Sequence, residues 1–200
     1  VTKDNTNQLT KPIITSIKPV QTKDNSITFF NEQYQETYHS VSGAVEEAQK
    51  KFVDACNIKE FAKLHDKINI LDVCFGLGYN TAVAVDNIIS VNPSCRIVVF
   101  GLENDINILN EIKNLNPEIK CYPMIKKLVS CSNLTIDEQN ISFKILLGDA
   151  RETIKTIKKS GNLLFNFCFL DPFSPKTCPE LWTKEFFKDI YAVMANKGVL

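Results

Sequence analysis

The chain has 200 residues, of which 44% are hydrophobic and 23% are charged, as in a single globular domain with a sizeable core. Its 23 basic and 23 acidic residues balance, which excludes a domain-wide basic surface for nucleic acid. Seven cysteines without a CxxC pair and only two histidines disfavour a metal site and indicate free thiols in a reducing, cytoplasmic compartment. No apolar stretch approaches the roughly 20 residues of a membrane-spanning helix, so we expect no membrane partner.

Three segments of different pattern come first along the chain. Residues 1–11 are polar and predict a disordered tail. Residues 12–40 contain two alternating runs, IITSI and SITFFN, on either side of the turn-like TKDN, and predict an N-terminal β-hairpin extension. The segment from Ser42 to His65 has apolar residues at helical spacing, which predicts one helix with Ser42 as its N-cap.

From residue 68 onward, apolar runs alternate with helical patterns. Strands are predicted at 68–75, 96–103, 141–149 and 163–171, and they are followed by helices at 80–91, 105–115, 150–159 and 179–194. Between them, YPMIKKLVS is compatible with a helix and SNLTIDEQN with a polar loop. Near-continuous apolar strands, each followed by a helix, indicate an α/β fold with a doubly wound, mostly parallel sheet. Because the chain stops where Gly198 opens another strand, we expect further C-terminal strands to be missing.

The predicted strand ends carry one glycine turn and three acids. In a doubly wound sheet, ligands bind outside the carboxyl ends of the strands. The first strand ends in FGLGYNT, where Thr81 replaces the third glycine of a dinucleotide fingerprint. Glu103 ends the second strand and suits the two hydroxyls of a ribose, while Asp149 ends the third and suits the exocyclic amine of an adenine. Such an acidic pocket favours a cationic adenosyl ligand over a dinucleotide.

Two roles stay open for several of these residues. Asp149 is also a good N-cap for the helix that follows it, and the two roles are compatible. Asp72, inside a strand, is either a neighbour of the cofactor or a structural carboxylate. His39 is predicted to be structural or a loop donor.

Several motifs resemble a known family. ILDVCFGLGYNT, GLEND and LLGDA look like the S-adenosylmethionine site of class I methyltransferases, although Cys74 stands where the common motif has its first glycine. FLDPFSPKTCPELWTKEFF and YHSVSGAVEEAQKKF resemble the tRNA 5-methylaminomethyl-2-thiouridine methyltransferases, which complete the modification of wobble uridine. The resemblance covers about residues 26–200, with Cys178 where asparagine is usual.

The resemblance implies a Rossmann-like methyltransferase domain at residues 41–200 and a set of functional residues. The cofactor would be S-adenosylmethionine and the partner tRNA, bound through its anticodon region, with any oxidase activity on a separate chain. Asp171 would face the reacting amine as the catalytic residue, and Phe173 and Lys176 would contact the substrate. The cofactor would be bound by the following residues: Tyr38, Ser40, Gly76, Gly78, Asn80, Thr81, Glu103, Asp149 and Ala150.

The chemistry of amine methylation explains the prolines after Asp171. A carboxylate beside a neutral amine orients its lone pair and stabilises the ammonium that forms, and only such transition-state effects accelerate the step. Pro172, Pro175 and Pro179 restrict the backbone and hold the loop beside that carboxylate. Three alternatives stay open: a methyltransferase acting on another amine, a nicotinamide-dependent oxidoreductase, and a non-catalytic binding module.

Overall fold

A small antiparallel sheet forms the N-terminal part of the protein. The computed structural model describes residues 16–161 and 163–200, so the predicted tail at 1–11 lies outside the described residues. The predicted hairpin is confirmed, with its turn at residues 22–25, and a third short strand is added to it. Residues 13–15 of IITSI lie outside the described residues, and the described pairing begins at Ile17 opposite Asn31. The three strands are β1 (Ile17–Gln21), β2 (Ile27–Asn31) and β3 (Glu36–Thr37).

The helical segment after this sheet is broken, so the prediction of one continuous helix is wrong. Helix α1 (Ala44–Ala48) continues as a π-helical stretch at Gln49–Asp54, and α2 (Ile58–Leu64) starts only after Asn57. Asn57 has a positive φ of 51°, which no right-handed helix accommodates.

Ser42 is not the N-cap of α1, because a carboxylate from the hairpin turn takes that role. Gly43 occupies the cap position without a side-chain hydrogen bond. Asp24 Oδ2 accepts hydrogen bonds from the backbone N–H groups of Val45 (3.1 Å) and Glu46 (3.0 Å). An acid at a helix N-terminus accepts hydrogen bonds from otherwise unpaired N–H groups, and its negative charge interacts favourably with the positive end of the helix dipole. The N-terminal sheet is thereby fixed to the main domain.

The main sheet has six strands in the order β6-β7-β5-β4-β8-β9, and all neighbours are parallel except β6 and β7. The parallel, doubly wound sheet is therefore confirmed. One strand was missed, because β6 lies within the stretch predicted to be a polar loop. Its four residues, TIDE, give too short an alternation to distinguish a strand from a loop. The strands are β4 (Lys67–Val73), β5 (Arg96–Glu103), β6 (Thr135–Glu138), β7 (Ile141–Leu147), β8 (Phe165–Leu170) and β9 (Met194–Val199).

The remaining helices cover the two faces of this sheet. The last predicted helix begins later than expected, because Pro179–Leu181 forms a 3₁₀ turn and the Thr183 hydroxyl caps α7 by accepting from the N–H of Phe186. No helix in the described part of the chain is long and apolar enough to cross a membrane. The helices are α3 (Tyr79–Val91), α4 (Ile106–Glu111), α5 (Tyr122–Ser130), α6 (Ala150–Ser160) and α7 (Lys184–Tyr191).

Apolar side chains alternate between the two faces of the central strands and form two cores. In β4, Ile68 and Ile70 join the core shared with α3, whereas Leu71 and Val73 join the core shared with α6 and α7. Both faces of the sheet are thus covered, which is why the strands read as continuous apolar runs. A ligand site in such a sheet lies outside these two cores, at the carboxyl ends of the strands.

Candidate functional site

The ends of β4, β5, β7 and β8 meet at one edge of the sheet, beside a pocket of about 460 Å³. The chain reverses its direction across the sheet between β4 and β8, the position at which doubly wound folds bind ligands. Seven of the predicted site residues line this pocket: Tyr38, Gly76, Glu103, Asp149, Ala150, Asp171 and Phe173. Gly78, Asn80, Thr81, Ser40 and Lys176 do not line it.

Glu103 holds the glycine turn at the floor of the pocket. Its carboxylate accepts three backbone N–H groups, from Gly76 (2.8 Å), Asn104 (2.8 Å) and Asp105 (2.9 Å). Burial raises the pKa of Glu103, and these backbone hydrogen bonds oppose the rise. A carboxylate offers about four acceptor positions, so it retains capacity for a hydroxyl of a ligand.

Asp149 caps the helix that begins at the opposite wall of the pocket. It accepts the Arg151 N–H (2.8 Å) and forms an ion pair with the Arg151 guanidinium, whose hydrogen bond lowers the pKa of Asp149. Ala150 is the first residue of α6, and its side chain is buried. The predicted capping role is therefore present, and the lining position leaves the carboxylate within reach of a ligand.

Asp171 follows the end of β8 and is connected to residues beneath the pocket. Asn80 Nδ2 donates to Asp171 Oδ2 (3.0 Å), so Asn80 supports the carboxylate from below. Thr81 donates to Asp72 Oδ2 (2.6 Å), and both residues are fully buried. Burial raises the pKa of Asp72 well above its ordinary value. Because Asp72 has no surface on the pocket, its structural role is the one that the geometry supports.

The glycine turn keeps a glycine-like backbone even where the side chain differs. Cys74, at the position of the usual first glycine, has a φ of 65° and lines the pocket. This left-handed conformation favours glycine, which accounts for the residue that the common motif uses there. Gly76 has a φ of 53° and donates its N–H to Glu103.

Gly78 does not line the pocket, but the packing around it requires a glycine. It begins α3 with a φ of 73°, and an added Cβ would lie 2.9 Å from the Phe75 ring and 3.0 Å from Ile125 Cγ2. Gly78→Ala should therefore lower the free energy of unfolding by about 2–4 kcal/mol, from backbone strain plus overpacking. Urea unfolding would measure this loss.

Gly161→Ala is the matched control for that measurement. Gly161 has a similar φ of 65°, but its added Cβ meets no atom within 4 Å among the described residues other than its chain neighbours. It should lose only the strain, about 1–2 kcal/mol. Equal losses in the two variants would show that the Phe75 and Ile125 contacts do not matter.

A second, shallower groove of about 470 Å³ lies on the other side of Asp171. Ser40 and Lys51 line this groove and not the first pocket, so among the predicted cofactor residues Ser40 shares its cavity with Tyr38. Lys176 is exposed on the adjoining loop and lines neither cavity. Four residues line both cavities and form the junction between them: Tyr38, His39, Asp171 and Phe173.

The N-terminal sheet fixes the proline-rich loop that forms one wall of the junction. Phe173 stacks on Tyr34 with ring centroids 4.5 Å apart and meets Tyr38 edge-on at 5.0 Å. Glu36 accepts hydrogen bonds from the Ser174 N–H (3.0 Å) and hydroxyl and from the Thr177 hydroxyl (2.9 Å), which lower the pKa of Glu36. The sequence analysis missed these contacts, since they join residues about 140 positions apart.

The polar groups of the pocket fit a cationic adenosyl ligand. Among the described residues, no lysine or arginine lines the pocket. Five acidic side chains do: Glu103, Asp105, Asp149, Asp171 and Glu180. A pyrophosphate would lack any positive partner here, whereas a sulfonium is attracted. The described residues contain no group of three or more acids, cysteines or histidines that could hold a metal ion.

Comparison with known proteins agrees with this chemistry. Residues 111–200 match a family described as S-adenosyl-L-methionine-dependent methyltransferase. The uncharacterised protein MJ0670 of Methanocaldococcus jannaschii is 32% identical over 90% of this chain and 48% of its own length. The tRNA 5-methylaminomethyl-2-thiouridine biosynthesis bifunctional protein MnmC of Pseudomonas entomophila is 23% identical over 79% of this chain and 26% of its own length.

A solved structure resembles the chain more fully. The crystal structure of MnmC2 from Aquifex aeolicus has a TM-score of 0.77 and 36% identity, over 94% of this chain and 59% of that one. The chain thus spans about half the length of the archaeal relative and about a quarter of the bifunctional bacterial one. Together, the fold, the acidic pocket and these matches identify the chain as an S-adenosyl-L-methionine-dependent methyltransferase domain related to MnmC2.

Proposed function

We propose that this protein transfers a methyl group from S-adenosylmethionine to the aminomethyl nitrogen of a modified wobble uridine in tRNA. The observation that carries the proposal is the junction, where Asp171 and Phe173 line both the acidic pocket and the second groove. A methyl donor in the first cavity and an acceptor entering from the second would meet beside the Asp171 carboxylate. Relatives named for tRNA 5-methylaminomethyl-2-thiouridine biosynthesis support tRNA as the acceptor.

Different pocket residues would bind different parts of the cofactor. S-adenosylmethionine supplies a methyl group bound to a positively charged sulfur. Glu103 would accept the ribose hydroxyls, and Asp149 with the start of α6 at Ala150 would contact the adenine. Gly76 would line the methionine side, since it lies between Glu103 and the end of β4. The same family match favours this cofactor over the nicotinamide alternative.

Asp171 would act on the acceptor nitrogen. The amine must be neutral to attack, and positive charge develops on nitrogen as the new bond forms. A fixed carboxylate stabilises that charge, and Asn80 fixes it through a hydrogen bond of 3.0 Å. Phe173, held by Tyr34 and Tyr38, presents a rigid aromatic wall against which a flipped base would stack.

The tRNA would be recognised locally, since the chain has no net charge. The anticodon region must reach the second groove, and Lys51 in the groove and Lys176 on the adjoining loop would contact its phosphates. The proposal also places the protein in the cytoplasm, where tRNA is modified, and its seven cysteines are free thiols.

Nucleoside mass spectrometry tests the proposal directly. The protein is incubated with methyl-labelled S-adenosylmethionine and tRNA that carries unmethylated aminomethyluridine, and the digested nucleosides are analysed. We expect the label in one wobble nucleoside. Label on another nucleobase or on a small amine would keep the chemistry and change the substrate, whereas no transfer to any amine would contradict the proposal.

Loss of the Glu36 contacts should impair acceptor binding alone. In Glu36→Gln, the hydrogen bonds that tie Ser174 and Thr177 to β3 lose their charged acceptor. Charge-assisted hydrogen bonds contribute about 1.5–3 kcal/mol each, so loosening the loop should raise KM for tRNA about tenfold. Cofactor affinity, measured by calorimetry, should stay within about twofold of wild type, because Glu36 does not line the first pocket.

Glu32→Gln is the matched control on the same small sheet. Glu32 is half-buried, pairs with Lys18 across the sheet and lines neither cavity. Glu32→Gln should leave both the KM for tRNA and the cofactor affinity unchanged. A rise in KM of the same size in both variants would assign the effect to the charge of the sheet and not to the loop.

A further inference from the structure

His39 is buried at the junction with unused hydrogen-bonding capacity. Its side chain is only 3% exposed, and neither ring nitrogen forms a hydrogen bond within the described part of the chain. Its backbone N–H donates to Thr28 Oγ1 (2.9 Å), and its ring meets Tyr79 edge-on at 5.3 Å. Buried polar groups are nearly always paired, so an unpaired imidazole fixed in this way calls for a functional explanation.

The ring lies between two carboxylates. His39 Nδ1 is 3.6 Å from Glu47 Oε2 and 4.0 Å from Asp171 Oδ2. The other Glu47 oxygen pairs with Lys51 (2.5 Å), and Oε2 accepts the Ser40 N–H (2.7 Å). Burial works to raise the pKa of Glu47, but the contacts with His39, Lys51 and Ser40 outweigh it and lower that pKa to about 2.

A permanently ionised Glu47 cannot take a proton at neutral pH, but it stabilises a positive charge on the ring beside it. Tyr79 from α3 also faces the ring. Burial raises the pKa of this phenol, which therefore stays neutral. Asp171 is thus the one partner from which His39 is placed to receive a proton.

We propose that His39 is a positioning and proton-accepting residue, which takes from Asp171 the proton that the acceptor nitrogen releases; the inference rests on the proposed amine methylation. The nitrogen lone pair forms the bond to the methyl carbon, and the bond from that carbon to sulfur breaks with its electron pair left on sulfur. The resulting ammonium gives a proton to Asp171, which passes it to His39 Nδ1. The imidazolium, paired with Glu47, then loses the proton to water in the second groove, which His39 also lines.

The 4.0 Å separation between Nδ1 and Asp171 is compatible with this role. Hydrogen bonds that serve proton transfer are often long in unliganded proteins and shorten when substrate is bound. The sequence analysis took His39 to be structural or a loop donor, because no spacing in the sequence connects it to Glu47 or Asp171.

The test compares wild type with His39→Asn in multiple-turnover methyl transfer across pH, because His39 takes the proton after the methyl group has been transferred. Asparagine retains a hydrogen-bond donor near the Nδ1 position but cannot accept the proton. The neutral fraction of the amine changes with pH equally for both proteins. The ratio of the wild-type rate to the His39→Asn rate therefore reports the contribution of the His39 imidazole alone. A protonated imidazole cannot accept a further proton, so the ratio should be about tenfold at the alkaline end of the profile and fall to within about twofold at the acid end.

His65→Asn is the matched control, since the chain has two histidines. His65 is exposed and stacks on Phe61 at 3.7 Å, and its substitution should leave the wild-type profile unchanged. A pH-independent ratio for His39→Asn would overturn the inference and leave the proposed function intact. No transfer by wild type would overturn both. His39→Gln is the second variant, and loss of folding in both would assign His39 to the core and overturn the inference.

Discussion

Asp171→Asn is expected to lower the rate of single-turnover methyl transfer about 10²–10³-fold, the usual cost of removing one preorganised electrostatic partner. The two side chains are nearly equal in size, and asparagine can still accept the hydrogen bond from Asn80. Folding and cofactor affinity should therefore persist. What is lost is the negative charge facing the acceptor nitrogen and the acceptor for its proton. The defect should be partly relieved at higher pH, where more of the free amine is already neutral.

Asp189→Asn provides the matched control. Asp189 lies on α7, pairs with Lys158 at 3.4 Å and lines neither cavity. Its substitution removes the same charge from the protein without changing the junction, so the rate should not change. If Asp171→Asn transfers methyl groups within about threefold of wild type, the Asp171 carboxylate is structural and the assignment of an amine acceptor is undermined.

Glu103→Gln should weaken cofactor binding about ten- to a hundredfold, because a charge-assisted hydrogen bond contributes about 1.5–3 kcal/mol. The amide has one acceptor oxygen in place of two. It must therefore direct an N–H₂ group towards either the Gly76 N–H or the N–H pair of Asn104 and Asp105. Ribose hydroxyls would lose their charged acceptor and the glycine turn would lose its anchor. Isothermal titration with S-adenosylmethionine measures the effect.

The pH dependence of binding gives a second readout for Glu103. Burial raises the pKa of Glu103, so ionised Glu103 costs the unliganded fold stability as pH rises through that pKa. Ligand hydroxyls favour the ionised form, so affinity should fall as pH is lowered through the same range. Glu103→Gln should abolish this dependence. Glu111→Gln, at a half-buried position on α4 that does not line the pocket, is the control, and an affinity of Glu103→Gln equal to that of the control would remove Glu103 from the site.

Much of the main sheet could be predicted from the sequence, because strands buried on both faces read as uninterrupted apolar runs. The rule that ligands bind at strand ends then brought Gly76, Glu103, Asp149 and Asp171 to one place. Predictions from neighbouring residues were wrong where a residue distant in the sequence performs the predicted function. Asp24 caps α1 in place of Ser42, and the positive φ of Asn57 ends a helical pattern that periodicity extends.

The wall of the site contributed by the N-terminal sheet could not be predicted in this way. Tyr34, Glu36 and His39 reach the junction only because that sheet packs across the ends of β4 and β8. Their partners lie elsewhere in the sequence, and neither periodicity nor a spacing rule connects them. Gly78 was predicted from its motif as a cofactor residue, and its neighbours Phe75 and Ile125 give a separate reason for a glycine there, since they leave no room for a Cβ.

The most direct test of the account is a crystal structure with S-adenosylhomocysteine and an anticodon stem-loop that carries aminomethyluridine. We expect the nucleoside of the cofactor product in the pocket with its ribose on Glu103, and the modified uridine in the second groove. The acceptor nitrogen should lie within hydrogen-bonding distance, about 3 Å, of Asp171, with its base against Phe173. A uridine bound away from the groove, or a cofactor bound outside the acidic pocket, would contradict the junction as the place of methyl transfer.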